Sequence, residues 1–418
     1  MKKNYTMVDF SKYTLQNGLR VILHRDDSSP MVAINILYNI GSKHEQKDKT
    51  GLTHLFEHLM FSGTKNISNF DDVIQKAGGE NNAFTNNDFT NFYDVLPKQN
   101  LEVGLWLEAD RMAHMRVKKR SFNIQKKVVI EEFKETCLNE PYGDLWHHLG
   151  DLLYPDHPYN WPVIGKAIEH IQHVSLDDAT HFFDTYYNPN NAILSICGDI
   201  DFEIVIGLVE KYFGNIQNDG VESNLFVDKE IQKGIYKQKT VHAQVPATAI
   251  IYAYNMCDRL DPDYYTTDSI SDILSGGRSS RLYQKLVKEK EIFSSIDAYI
   301  TGTTDPGALV IDGKLMNNIA PNEAKKYLDE VLDEMMNEYI LDTELTKIKN
   351  KAESNLVFSE TSVLSKAMSL GYYEYLGDID LMNTEITYYN NVTSKTVKNV
   401  AQSLFNIENR VELVYLSL

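Results

Sequence analysis

The stretch Gly51-Leu52-Thr53-His54-Leu55-Phe56-Glu57-His58-Leu59-Met60-Phe61 places apolar residues at 52, 55, 56, 59 and 60. That is the spacing of one helical face, and Gly63 follows as a stop signal. His54 and His58, four apart, project from one face in adjacent turns and can reach a single ion, with Glu57 beside them. Neutral imidazoles suit zinc, and a catalytic zinc site leaves one position for water, so the pair requires a third protein ligand. The order His-x-x-Glu-His is the reverse of the zincin order. By spacing alone, two histidines on a helix are more often packing or surface residues.

Outward from this helix, Tyr13 to Leu15 and Leu19 to Leu23 flank Gln16-Asn17-Gly18, a hairpin pattern. Val32, Ile34, Ile36 and Tyr38 alternate as in a strand covered on one face and partly on the other. A second helix is predicted from Phe70 to Ala77, closed by Gly78-Gly79, before extended segments at Asn82 to Thr85 and Phe89 to Leu96. Helical patterns fill Gln99 to His173. A strand at Ala192 to Cys197 and a helix from Phe202 to Phe213 complete one unit. The polar stretch after Gln217 reads as a linker, giving an N-terminal domain 1–216, a linker 217–240 and a C-terminal domain 241–418. The second half repeats the plan, with strands at Ala247 to Tyr254, Ala308 to Leu315 and Val411 to Leu416 and a helix from Tyr264 to Leu274. The fold class is α+β.

Bulk composition narrows the function. With 43% hydrophobic and 24% charged residues the chain can bury two cores. Its 41 Lys and Arg against 59 Asp and Glu give a formal charge of −18, which repels phosphate backbones, and no segregated basic patch stands out, so nucleic acid is not an expected partner. The acidic balance leaves cationic peptides as one substrate preference. Cys137, Cys197 and Cys257 form no CxxC pair and are too few for a disulfide framework. No signal peptide or membrane-length apolar run is seen, which favours the cytoplasm, with the periplasm open if a leader is missing.

Several ordered motifs resemble the pitrilysin/insulinase (inverzincin) metallopeptidase family, especially its mitochondrial-processing-peptidase-like, zinc-bearing members. They are Leu15-Gln16-Asn17-Gly18-Leu19-Arg20-Val21, the helix Gly51 to Phe61, Gly78-Gly79 with Asn82-Ala83-Phe84-Thr85, Tyr187-Asn188-Pro189 with Asn191-Ala192 and Gly198-Asp199, and Gly276-Gly277-Arg278-Ser279-Ser280-Arg281-Leu282-Tyr283. The resemblance implies two similar α/β-sandwich domains of about 200 residues, each a mainly antiparallel sheet packed with helices, together half of a clamshell. It names the third ligand within Val128-Val129-Ile130-Glu131-Glu132 as Glu132, 74 residues after His58. One Zn2+ per chain is expected. Glu57 becomes the general base of a peptidase, and Asn82, Ala83, Phe84 and Thr85 become an edge strand that binds extended peptide.

Two departures from the family pattern qualify this expectation. Many relatives carry an acidic residue where this chain has Gln125, which can orient neighbours but not transfer protons. The family's complete enzymes also use an Arg and a Tyr from the second domain. Here Val287 and Ser294 stand at those positions, and neither can do that chemistry. Arg281, Lys288 and Tyr299 are near but misplaced. The resemblance therefore implies a zinc-bearing chain that works with a homologous chain supplying the Arg and Tyr, a heterodimer, with a homodimer the lesser expectation. The alternative is a noncatalytic scaffold or assembly subunit that keeps the fold. His147, His148 and His157 are read as structural.

Overall fold

Asn17-Gly18 closes the opening hairpin because Gly18 takes a left-handed backbone (φ 92°), a conformation glycine adopts without a Cβ clash. The computed structural model describes residues 7–115, 117–217 and 235–418. Eleven strands run through them: β1 Ser11–Thr14, β2 Arg20–Arg25, β3 Met31–Tyr38, β4 Glu80–Thr85, β5 Thr90–Pro97, β6 Ala192–Gly198, β7 Lys237–Ala243, β8 Ala249–Asn255, β9 Phe293–Ile300, β10 Ala308–Leu315 and β11 Arg410–Ser417. The helices are α1 Leu52–Met60, α2 Phe70–Lys76, α3 Leu101–His114, α4 Lys119–Phe133, α5 Leu145–Leu153, α6 Ile168–His173, α7 Leu176–Tyr186, α8 Phe202–Phe213, α9 Tyr264–Ser275, α10 Pro321–Asn337, α11 Asp342–Ser359, α12 Val363–Leu376, α13 Leu381–Asn391 and α14 Ser394–Leu404. None is long and apolar enough to cross a membrane.

The strands form two sheets, ordered β1-β2-β6-β3-β5-β4 and β7-β11-β8-β10-β9. Setting β1 aside, the second order repeats the first strand for strand, so the two halves share one topology. Each sheet is antiparallel except for a single parallel pair, β2 with β6 and β7 with β11. The fold is α+β, with two related sheets and many helices. The repeat, legible in the sequence only as element order, is a repeat of strand order in space.

In the first sheet, alternation sends Val21, Leu23, Val32, Ile34, Ile36 and Leu194 to a core shared with Leu55 and Phe56 of α1, Leu105 of α3 and Val209 of α8. The intervening residues Ile22, Ala33, Leu37, Ile193 and Cys197 face the other way, and Ala367, Leu370, Tyr373 and Leu376 of α12 cover them. The second sheet is built alike. Ile250, Tyr252, Leu309 and Ile311 pack with α9, α10 and α14, while Ile251, Ala253, Val310, Leu413 and Tyr415 are covered by Leu145, Leu149 and Leu153 of α5. Strands apolar on both faces need a layer on each side.

That requirement explains why the compact units do not follow a single cut along the chain. The first comprises the described parts of Met1–Phe133, Pro162–Val227 and Val357–Thr384; the second comprises those of Lys134–Trp161, Asp228–Leu356 and Glu385–Leu418. Each half lends the other the helix that closes its second sheet face. Most of the 217–240 linker expected from sequence lies outside the described residues, and its last residues already belong to β7.

Within the first unit, polar contacts seat α12. Ser195 Oγ donates to the Ala367 carbonyl at 2.6 Å, Asn35 Nδ2 donates to Ser195 Oγ at 3.2 Å, and Asn91 Nδ2 donates to Asn35 Oδ1 at 2.7 Å. Gly371 admits this buried chain, since a Cβ there would lie 3.0 Å from Asn35 Nδ2. Lys366 Nζ reaches Asp26 Oδ2 at 2.7 Å.

Two predictions follow from this packing. A fragment ending at residue 216 lacks α12 and leaves Ile22, Ala33, Leu37 and Ile193 uncovered; it should bind hydrophobic dyes and unfold without cooperativity, and a soluble fragment with a sharp transition would count against the exchanged-helix account. Burial alone would raise the Asp26 carboxyl, but bonds from Lys366 and Ser28 hold it down at about 2. Its stabilisation is therefore present above the unfolded value near 3.8 and lost as pH falls through about 2. Asp26→Asn should cost about 1 kcal/mol at pH 6 after allowing for solvent screening, and denaturant titrations should show the deficit closing between about pH 4 and pH 2.

Candidate metal centre

Helix α1 buries Leu52, Leu55, Phe56, Leu59 and Met60, which turns His54, Glu57 and His58 to its half-buried opposite face. Its start is fixed by a residue outside the motif. Glu45, only 7% exposed, accepts the backbone N–H of Gly51 at 2.9 Å and of Thr53 at 2.7 Å, one on each carboxylate oxygen. Two donors that a helix start leaves unpaired are thereby satisfied, and the negative charge lies at the positive end of the helix dipole. Burial pushes the Glu45 carboxyl up to about 7, with the bonds from Thr53 and Gly51 and the charge of His54 opposing it.

Helix α4 packs against α1, buries Phe122, Val129 and Phe133, and presents Glu132 three residues after Val129. The three side chains converge. His54 Nε2 is 3.3 Å from Glu132 Oε2, His58 Nε2 is 3.3 Å from His54 Nε2, and His58 Nε2 is 3.4 Å from Glu132 Oε2. Corners of a tetrahedron with bonds of about 2.0–2.1 Å, the zinc distances to nitrogen and carboxylate oxygen, lie about 3.3–3.4 Å apart. The triangle thus has the edge length of three tetrahedral ligands and leaves a fourth corner open. Among the described residues this is the one group of three such donors close enough to share an ion.

The electrostatics agree with a site made for positive charge. Burial alone would lower His54, yet Glu132 and Glu57 raise it to about 9. His58 is lowered, by burial first and then by the charge of His54. Glu132 is held below its usual range chiefly by its bond to His54. Glu57 stands outside the triangle with Oε2 3.7 Å from His54 Nδ1. Burial would raise its carboxyl, but interactions with His54 and Thr85 outweigh this, and it stays ionised.

The other site expectations fall out unevenly. Among the described residues β4 is the outer strand of its sheet, paired only with β5. Ala83 packs on the core that holds α1 and Thr85 interacts with Glu57, whereas Phe84 packs on the opposite face and Asn82, exposed, turns its Oδ1 to the N–H of Ala83 at 2.8 Å. Gln125 donates to Ser62 Oγ at 3.4 Å, and that hydroxyl donates to the His58 carbonyl at 3.4 Å, so it supports the backbone of α1. In the second unit, Val287 packs on the core and Ser294 Oγ donates to the Lys314 carbonyl. Arg281 is engaged by both oxygens of Glu344 at 2.8 and 2.9 Å. His148 sits between Asp144 and Lys239.

Fold and site together define a class: a two-unit α+β protein whose first unit carries a His-x-x-Glu-His helix closed by a distant glutamate. Residues 20–148 match the family described as Insulinase (Peptidase family M16), and residues 173–352 match that described as Peptidase M16 inactive domain. The chain belongs to this pitrilysin/insulinase-like family. It is 28% identical to a zinc protease, PqqE, of Helicobacter pylori, covering 82% of this chain and 78% of that one. It is 26% identical to an uncharacterized zinc protease, YmxG, of Bacillus subtilis, covering 96% and 97%. A crystal structure of a protease from Helicobacter pylori superimposes with a TM-score of 0.93 at 25% identity, over 98% of this chain and 100% of that one.

Glu45 escaped sequence reading because it lies six residues before Gly51, outside any capping-box spacing. Glu45→Gln keeps the shape but points an amide N–H₂ at one of the two backbone donors. It should lower stability by roughly 1–3 kcal/mol, read from the denaturant midpoint, and an unchanged midpoint would refute the capping role.

Proposed function

We propose that the chain is a zinc-dependent endopeptidase acting on extended, unfolded peptides. The observation that carries this reading is the near-equilateral triangle of His54, His58 and Glu132 with ionised Glu57 beside it. Zinc held by those three side chains would supply a Lewis acid that acidifies a water and polarises a peptide carbonyl. Glu57 accepts the proton of the attacking water on its carboxylate and returns it to the nitrogen of the departing amine. The open edge of β4 takes the substrate as an added strand, held through its backbone. Thr85, on the α1 face of that strand, keeps Glu57 aimed.

The reading extends to a partner. Val287 and Ser294 offer no cation and no phenol, so a homologous chain supplies the groups that bind and polarise the carbonyl. The Arabidopsis thaliana relative, 22% identical over 82% of this chain, is named a probable mitochondrial-processing peptidase subunit beta. The chain also matches 48% of the periplasmic protease PqqL of Escherichia coli at a TM-score of 0.78, which supports a working unit of two such chains. A noncatalytic scaffold is the second reading, favoured by the inactive-domain match over residues 173–352.

Metal analysis and cleavage of an unfolded protein substrate separate the two. The wild type should bind one zinc per chain. Glu57→Gln should keep that zinc and lose hydrolysis by about 10²–10⁴-fold, the comparison being made with and without a coexpressed homologue carrying the Arg and Tyr. Absence of zinc binding, or equal hydrolysis by the variant, sinks the peptidase reading.

A further inference from the structure

Three ionisable side chains lie deep in the core of the first unit, outside the chemistry proposed for the metal centre. Asp94 of β5 and Glu108 of α3 are fully buried, and Arg111 of α3 is 1% exposed. Arg111 Nη2 is 3.3 Å from Glu108 Oε1. The two carboxyls lie within hydrogen-bonding reach of each other, yet no neighbouring N–H or O–H among the described residues donates to any of their four oxygens. Two carboxylates that close repel, and one proton held between them turns the repulsion into a hydrogen bond. A single negative charge then faces the guanidinium. Burial pushes Asp94 well above the ordinary carboxyl range, with Glu108 adding to the effect and Arg111 opposing it; burial raises Glu108 as well. Of the other groups around the pair, Tyr38 of β3 is kept neutral by burial and by the charge of Glu108. It packs on Tyr187, whose phenol burial also raises. β4 brings the amide of Asn81, opposite Asp94 in register, and the end of α1 and α2 meet the cluster through Phe61 and Phe70.

An apolar trio of similar volume is often at least as stable as buried ions, so the return on this cluster lies in the geometry it fixes. Three rings pack the Arg111 guanidinium at once: the centroids of Phe61, Phe70 and Phe92 are 5.1, 3.8 and 4.7 Å from its central carbon. Phe61 is the residue that caps the end of α1, and Phe92 stands opposite Ala83 in the β4–β5 register. One side chain thus joins the end of the helix that carries His54, Glu57 and His58 to the strand that holds β4. Asp94, on the same face of β5 as Phe92, completes the link from strand to α3 through Glu108. β4 needs such a fixing point. Among the described residues it has a strand on one side only, while α1 packs against it and Thr85 has to reach Glu57.

We propose that Asp94, Glu108 and Arg111 are positioning residues for the metal centre: the two acids with one proton between them, and the ring-packed guanidinium, hold the β4–β5 hairpin at a set distance from α1, so that peptide added to β4 meets His54, His58 and Glu132. The inference rests on the peptidase reading and deepens it, adding three residues that act through α1 and β4. In the unfolded chain both acids ionise at their ordinary values of 3.8 and 4.5, so above that range the folded protein holds one proton more than the unfolded one. The stabilisation from this proton is fully present below the ordinary values and falls as pH rises, until the proton leaves the folded pair.

Urea titration and peptide binding test it without turnover. The parent is full-length Glu57→Gln protein supplied with zinc, and the probe is a fluorescent, unstructured peptide with blocked ends and no titratable side chain. Between about pH 5 and pH 8 the folding constant of the parent should fall roughly tenfold per pH unit relative to the parent carrying Asp94→Asn, whose amide donates to Glu108 without a titrating proton. Every other titrating group is common to both proteins, so the difference isolates the pair. At neutral pH Asp94→Asn should bind the peptide as tightly as the parent. Asp94→Leu, which keeps Glu108 balanced by Arg111 but breaks the link from β5, should bind it about tenfold more weakly with zinc content unchanged. Should that variant not fold, Arg111→Lys, which keeps the charge and loses the flat contact with three rings, should weaken the peptide about threefold. Parallel pH dependence of the parent and Asp94→Asn overturns the shared proton. Peptide binding that the Asp94→Leu or Arg111→Lys change leaves unmoved, or that is lost together with zinc, overturns the positioning role. A parent that binds neither zinc nor peptide refutes the peptidase reading and this inference with it; the other patterns strike the inference alone.

Discussion

Leu55, Phe56 and Leu59 of α1 are completely or almost completely buried against the first sheet, and that burial decides which way every other residue of the helix faces. With one stripe committed to the core, His54, Glu57 and His58 are left on the far side. The rotation of the helix is set by apolar packing and its axial position by Glu45 on the N–H groups of Gly51 and Thr53. Helix α4 answers in kind: Phe122, Val129 and Phe133 commit one of its faces and thereby aim Glu132. The centre is assembled by two amphipathic helices that meet because their apolar faces have nowhere else to go.

The same logic of covered faces governs the whole chain. β3, read from its alternation as covered on one side and partly on the other, is covered on both, and so are β6, β8 and β10. Periodicity reveals that a second face is apolar but not which segment lies on it. That segment is α12 for the first sheet, more than 160 residues further along the chain than β6, and no local pattern encodes such a partner. Elements that bury a clean stripe were legible nearly to the residue: the helix expected at Phe202 to Phe213 and the strand at Ala308 to Leu315 are α8 and β10. β7 and β9 were not anticipated. As the outermost strands of their sheet they keep many side chains exposed, and Lys237 to Thr240 falls within the polar stretch read as linker.

Legibility of the candidate site divides along the same line. His54, Glu57 and His58 stand in one helical turn, where spacing carries information. Glu132 is 74 residues away and looks like any solvated charge; only its resemblance to a known pattern singled it out, and its convergence with the histidines is a fact of packing. Asn82 to Thr85 fall on β4, the outer strand of its sheet, and because a strand sends successive side chains to opposite faces, Ala83 and Thr85 lie on the side of α1.

The repeat of strand order makes the contrast between the two units informative. In topology α9 occupies the place of α1, yet it buries Thr266, Thr267, Ser269 and Ile270 and carries no histidine. Val287 and Ser294, at the positions where the family pattern expects donors, serve the core and a strand backbone. The architecture is indifferent to the difference, because the candidate site's side chains sit on faces that packing leaves over. The reverse holds in the first unit. Two imidazoles and two carboxylates crowded together are not a stabilising arrangement by themselves: Glu132 and Glu57 raise His54 against its burial, while His58 is lowered by burial first and then by the charge of His54. A cation at the centre of the triangle would satisfy all three ligands at once. The first unit therefore carries an arrangement that folding alone does not require.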